Sequence, residues 1–455
     1  MHITKQIVDF VVGTGYGAIP AKALDVAKTA IIDTLGVTLA GSQENSARIC
    51  AALTREEGVK GESTVVGQGF KSSPALAAFV NGTAAHALDY DHSLPRLGQP
   101  TAALVPATLT LAEALGASGR EWLEAYVIGF EVTAKLARSN PHHMSKGGWH
   151  STGTLGSLGA AVACARLLKL DGNAVEVALG IASSMACGIV SNFGSMTKPL
   201  HAGLASRNGV LAAKLAHNGF TANSQVLEGA NGFFDVFSRG LPFDPAPLDG
   251  LGISFDLGER GIRIKPYPCG GLTHSAVDAL LEMRAKHHIM PDAVDRICAG
   301  VTSQTYGYIL RHNPETGIQG KFSMPYILAR ALVDGRLGLD SFTDKAVQDS
   351  SVRKLAEKVQ MELDLDLSED KEDSQPSKVT IELKDGRSFS QRIDYPKGGR
   401  YVPLSPEEIR DKFVECARKA ITEQSTNRVL AYLLDVQDLD ALEPLCELLA
   451  GGIQK

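Results

Sequence analysis

Apolar residues recur at spacings of three and four through most of the first 240 residues, and no stretch there sustains the strict alternation of a strand. After Pro20, the residues Leu24, Ala27, Ile31, Leu35 and Leu39 mark one stripe of a helix over 21–40. Similar patterns cover 44–57, 73–89, 100–116, 119–138, 153–169, 173–190 and 200–218, with Gly, Pro and Asn in the connections. Ser63 to Val66 is short enough to be an isolated strand. Aromatic residues are only 6% of the chain while glycines number 46, so these helices are expected to pack closely through small side chains. This half reads as an all-helical main domain.

The texture changes near Gly258. Arg260 to Lys265, Val294 to Val301 and Lys378 to Leu383 alternate, and Asp385-Gly386 between the last run and Ser388 to Ile393 is a hairpin signal. Helical segments at 273–286, 322–334 and 344–357 are interspersed. Ser405-Pro406-Glu407-Glu408 then opens another helix, with Ser as N-cap, Pro at the first position and Glu three residues after the cap. At 455 residues the chain exceeds one average core. The expected fold is mainly α: a discontinuous helical domain over 1–264 and 398–455, with a smaller α+β lid domain over 265–397. The acidic run from Ser368 to Asp373 reads as a solvated loop.

A net charge of −6 with no Lys/Arg-rich run provides no footprint for nucleic acid. Seven scattered cysteines without a C-x-x-C pair argue against a disulfide framework or a thiolate zinc site, and for a reducing compartment. The N-terminal residues show no signal-peptide pattern, and no uncharged apolar run reaches the roughly 18 residues of a membrane span. A cytoplasmic protein with no membrane partner is expected.

Chemistry gathers at the ends of apolar helices. His86, Asp89, Tyr90, Asp91, His92 and Ser93 come after a segment built for burial, where ionisable groups are costly unless paired or used. His86 and Asp89 lie three apart and share a helix face. The negative helix end and burial would both raise the pKa of Asp89, suiting it to proton transfer, although a C-cap in a satisfied polar network explains the same residues. A metal site lacks a recognised ligand spacing here. His150 precedes a glycine-rich helix start and can help hold an anion, or serve as a buried structural histidine. The glycines from Gly153 to Gly159 suit close helix packing better than a nucleotide loop, since no strand precedes them. Lys198 sits beside Pro199 at a positive helix end, where its charge is favoured opposite a bound anion. Arg207, on the same helix, suits a structural ion pair. Further on, Lys265 to His274 and Gln319 to Tyr326 are Pro- and Gly-shaped leads into helices. They present His274, a buried thiol at Cys269, and a Tyr326 that is an acid, an anion donor or a core residue.

Taken together, Asn81 to Asp91, Gly148 to Gly156, Lys198-Pro-Leu-His-Ala-Gly203, Lys265-Pro-Tyr-Pro-Cys269 and Gln319 to Tyr326 resemble, in the same order, the motifs of the MmgE/PrpD family. That family contains 2-methylcitrate dehydratase, cis-aconitate decarboxylase and iminodisuccinate epimerase. The resemblance implies a homodimer with a cofactor-free, metal-free active site between a helical domain and an α+β lid. It carries the family's site positions onto Asp89, Ser93, His150, Lys198, His274 and Tyr326. This chain departs from the pattern at Asp91-His92-Ser93, where Asp-Asp-Thr is usual, and at Gln99-Pro100, where a His-Pro is usual. Glutamine cannot relay a proton, so any such role has moved or the reaction has changed.

The resulting expectation is a lyase, a dehydratase or decarboxylase, acting beside a carboxylate of a small di- or tricarboxylic acid. Lys198, helped by His150, would hold carboxylates, with Ser93, Arg96, Gln99 and Lys265 as further binding residues. Asp89, His274 and Tyr326 are the candidates for proton transfer. An epimerase or isomerase of a dicarboxylate such as iminodisuccinate is the alternative, and a non-catalytic carboxylate-binding protein is the rival of another class.

Overall fold

A computed structural model describes residues 2–94, 98–140, 143, 146–238, 240–368 and 373–451; Arg96 and residues 369–372 of the acidic run lie outside the described residues. The chain divides into two compact units, Met1–Ile262 with Ser405–Lys455, and Arg263–Leu404.

In the first unit the helices are Ala- and Gly-rich and packed as closely as their small residues allow. The Pro74–Ala87 and Thr197–His217 helices make the decisive contact. A Cβ on Gly203 would lie 2.2 Å from Thr83 Oγ1 and 2.4 Å from the Phe79 carbonyl oxygen, and one on Gly82 would lie 2.4 Å from Ser206 Oγ. Backbone meets backbone there, and the contact fixes the C-terminal end of the first helix relative to the start of the second. The glycines of the Ser151–Leu167 helix work in the same way, since a Cβ on Gly159 would lie 1.9 Å from Thr133 Oγ1 of the Gly119–Ser139 helix. They are helical packing residues, and no nucleotide loop exists at that stretch.

A polar network braces the chain just beyond the Pro74–Ala87 helix. Asp33, in the middle of the Ala21–Gly41 helix, accepts from the His92 backbone N–H at 3.0 Å and faces His92 Nδ1 at 3.1 Å. Lys412 of the Pro406–Ala417 helix lies 2.6 Å from Asp33 and donates to the Tyr90 carbonyl at 2.8 Å. Burial alone would raise the Asp33 pKa; Lys412 and His92 outweigh it and hold the carboxyl below its ordinary value. The Pro406–Ala417 helix starts with the expected capping box, Ser405 paired with Glu408.

The second unit holds a four-stranded sheet in the order Val359–Leu363, Val294–Val301, Ser377–Leu383, Ser388–Ile393. The first pair is parallel and the other two are antiparallel. Asp385-Gly386 turns the hairpin, with Gly386 at φ +87 and Leu383 N–H donating to the Arg387 carbonyl at 2.8 Å. Three local features differ from expectation. Residues 260–265 form no named strand, because Gly261 takes φ +70 and interrupts the extended run. The 344–357 helix is two pieces, since Thr343 and Asp349 each cap a new start. The parallel edge strand at Val359–Leu363 has no clear sequence signal, its apolar alternation being only five residues long.

The mainly helical architecture with a smaller α+β part is as the sequence predicts. No described helix is long and apolar enough to cross a membrane.

The Gly203 contact predicts a measurable cost. Gly203→Ala should destabilise the fold by about 1–3 kcal/mol through overpacking in urea unfolding. Gly13→Ala, where an added Cβ meets nothing within 4 Å, should change it by less than about 1 kcal/mol.

Candidate active site

The helix packing brings Asp89 and Lys198 together from 109 residues apart in sequence. Asp89 lies just past the Pro74–Ala87 helix with φ +51, a left-handed conformation that aspartate tolerates better than most residues. Lys198 is the second residue of the Thr197–His217 helix, and its Nζ donates a short hydrogen bond to Asp89 Oδ1. Their side chains are 8% and 7% exposed, so this is a buried ion pair. The Lys198 ammonium also lies 5.1 Å from the centre of the Phe193 ring.

Three histidine rings surround the pair. His86 places Nδ1 at 3.0 and 3.1 Å from the two Asp91 carboxylate oxygens. Its ring stacks on His150 with centroids 5.4 Å apart. His150 Nδ1 in turn faces His201 Nδ1 at 3.0 Å, a hydrogen bond in which one ring donates and the other accepts. Burial, then repulsion from His86, Lys198 and His201, holds His150 well below the usual histidine range. Burial, then His86 and Lys198, lowers His201 to about 4. Both depressions favour neutral rings near pH 7, and the shared hydrogen bond requires the accepting ring to be neutral.

Of the residues that the sequence singles out, Asp89, His150 and Lys198 meet in this cluster. Gln99 joins them: its backbone N–H donates to Thr152 Oγ1 at 3.0 Å, and its side-chain amide approaches Asp89 Oδ1 at 3.3 Å and Asp91 Oδ1 at 3.5 Å. Ser93 is half-buried beside His92. Arg96 lies outside the described residues.

Lys265, His274 and Tyr326 belong to the other unit and are all buried there. His274 opens the His274–His287 helix, with Nε2 3.3 Å from the Cys269 carbonyl and its ring edge-on to Tyr267. Tyr326 sits in that unit's apolar core, donates a short hydrogen bond to the Ser341 carbonyl and is raised in pKa by burial first. Arg207 makes no ion pair among the described residues; it donates to Asn208 Oδ1 at 3.3 Å and lies over the Phe79 ring.

Asp91 belongs to the polar cluster that the sequence singles out but is given no role there, and His201 is given none either. A signal for His201 is present, three residues after Lys198 on one helix face. Among the described residues, one ligand atom each of His86, Asp89 and Asp91 lie within 4.8 Å of one another. The Lys198 ammonium already contacts this group, and its charge disfavours a second cation there.

The burial of these charges has measurable consequences. Lys198→Met should cost about 3–5 kcal/mol by stranding the Asp89 carboxylate. Adding Asp89→Asn should cost less than the sum of the single changes, with a coupling of about 1–3 kcal/mol in denaturant unfolding; additive costs would contradict the pair. His150 and His201 are depressed in the folded protein but titrate near 6.5 once unfolded. Their contribution is thus complete above pH ~6.5 and is lost as pH falls towards 4, by up to about 1.4 kcal/mol per pH unit for each ring. His201→Gln should flatten that acid limb in unfolding curves at pH 7, 6 and 5.

The chain matches models of the MmgE/PrpD N-terminal domain over residues 5–246 and of the MmgE/PrpD C-terminal domain over 267–436. It is 30% identical over 442 residues to a cis-aconitate decarboxylase of Mus musculus, covering 93% of this chain and 88% of that one. It is 29% identical over 468 residues to the Homo sapiens cis-aconitate decarboxylase, covering 99% and 95%. A cis-aconitate decarboxylase of Aspergillus terreus is 29% identical over 475 residues, covering 98% and 96%. Two matched domain models and end-to-end similarity to these relatives make the chain a member of the MmgE/PrpD family.

Proposed function

We propose that the protein is a cofactor-independent lyase that removes CO2 from a small tricarboxylate of the cis-aconitate kind. The observation that carries this reading is a buried ammonium, Lys198, set among histidines held neutral by burial. A polyanion entering such a site meets a positive charge little screened by solvent. The names of the similar proteins, cis-aconitate decarboxylases matched along nearly their whole length, support the choice of substrate.

In this reading Lys198 engages a substrate carboxylate, with Asp89 holding its ammonium in place. The bond from a second carboxylate to its carbon breaks, and its electron pair passes onto that carbon and into the conjugated system as CO2 departs. The fixed cation stabilises the negative charge that develops. A proton then reaches the carbon from a protein acid, which regains it from solvent. Tricarboxylate and one proton become dicarboxylate and CO2.

Gln99 favours a second reading, because it stands beside Asp89 and Asp91 where the family pattern has a histidine. If proton handling differs, removal and return of a proton beside a carboxylate would make the protein an epimerase of a dicarboxylate. We also extend the main reading to a homodimer in a reducing, cytoplasmic compartment, supported by the family likeness and by cysteines without C-x-x-C pairing.

Turnover of cis-aconitate in heavy water tests the choice. The wild type should release CO2 and form a dicarboxylate carrying one new C–D bond. Lys198→Met, if folded, should lose about 100-fold or more in kcat/KM. Deuterium entering an acid that keeps its carbon count, with no CO2, would contradict decarboxylation and support the epimerase.

A further inference from the structure

We propose that His86, oriented by Asp91, is the group that delivers the proton in this chain; the inference rests on the lyase reading above. The buried histidines described in the first unit differ in what their ring nitrogens already do. His92 uses both, Nδ1 towards Asp33 and Nε2 towards Thr101 Oγ1 at 2.8 Å. His150 and His201 satisfy each other through Nδ1 and have no carboxylate bonded to either ring among the described residues. His143 bonds Thr154 Oγ1 through Nε2 and likewise has no described carboxylate partner.

His86 alone of these five combines a carboxylate on one nitrogen with a second nitrogen, Nε2, that is buried and has no hydrogen-bond partner among the described residues. Its side chain is fully buried and that of Asp91 is 1% exposed, so solvent barely screens the contact. Asp91 accepting from Nδ1–H selects the tautomer with a bare Nε2, and it stabilises the imidazolium when Nε2 is protonated. Burying an unsatisfied ring nitrogen costs free energy, which makes Nε2 the nitrogen with a use outside the resting structure.

The dyad is contiguous with the ion pair, since atoms of His86, Asp89 and Asp91 converge within 4.8 Å. Gln99 touches both carboxylates but carries no transferable proton at neutral pH. The balance of the step is simple. Imidazolium His86 gives its Nε2 proton to the carbon that retained the electron pair of the broken bond. The ring returns to its neutral resting form with Nδ1–H still on Asp91, and Nε2 takes up one proton from solvent only when the next substrate anion binds.

Kinetics and a tautomer measurement test the dyad together. His86→Gln should retain the wild-type unfolding midpoint within a few degrees and KM within about threefold, while kcat falls by about 100-fold or more. Asp91→Asn should lower kcat through the wrong tautomer, again with KM little changed. A merely structural role would instead lower stability and leave kcat of the folded fraction near wild type, which would overturn the proposal. In parallel, 15N chemical shifts of labelled histidine, with His86 assigned by its absence in His86→Gln, should show Nδ1 protonated and Nε2 bare at neutral pH. The opposite tautomer would overturn the dyad. A wild type inactive on cis-aconitate would contradict the decarboxylase reading, and the tautomer measurement, which needs no turnover, would still decide the orientation claimed for His86.

Discussion

The buried ion pair between Lys198 and Asp89 is the interaction on which the site depends. Taking an ammonium and a carboxylate out of water costs several kcal/mol per ion, and their attraction offsets this only when the geometry is held. Here the geometry comes from backbone contact at Gly82 and Gly203, which holds the Pro74–Ala87 and Thr197–His217 helices close together. Small residues in the helix bodies thus permit charged residues at the helix ends. The left-handed turn at Asp89 is part of the same arrangement, because it redirects the chain from the helix towards Lys198.

Around that pair the polar residues divide into support and chemistry. Asp33, His92 and Lys412 form a closed network in which partners answer one another, and it braces Tyr90 and His92 from below. His150 and His201 are held neutral by burial and by each other. A neutral shell matters for an anionic substrate: it adds hydrogen-bonding capacity without drawing carboxylates away from Lys198. His86 and Asp91 lie between these groups, one carboxylate and one ring with a nitrogen to spare.

Much of the fold is legible in the sequence because its signals are local. The Ser405–Glu408 capping box and the Asp385-Gly386 hairpin depend on residues a few positions apart, and both form as the sequence predicts. Asp89, His150 and Lys198 are legible as polar residues at apolar helix ends. Partners chosen by packing are not. Asp33 meets His92 across 59 residues, and Lys412 reaches Tyr90 across 322. Nor does spacing reveal that Lys198 already has its own carboxylate, or that Arg207 finds an amide in place of an acid. Spacing likewise gives no sign that the Tyr326 hydroxyl donates to the Ser341 carbonyl, 15 residues on.

The most direct test of a carboxylate site built on Lys198 is a crystal structure of the protein with tricarballylate, a saturated tricarboxylate, bound. A carboxylate oxygen of the ligand should lie about 3 Å from Lys198 Nζ, with the ammonium shared between the ligand and Asp89. Ligand bound elsewhere, with the Lys198–Asp89 pair unchanged and no carboxylate near it, would contradict the account.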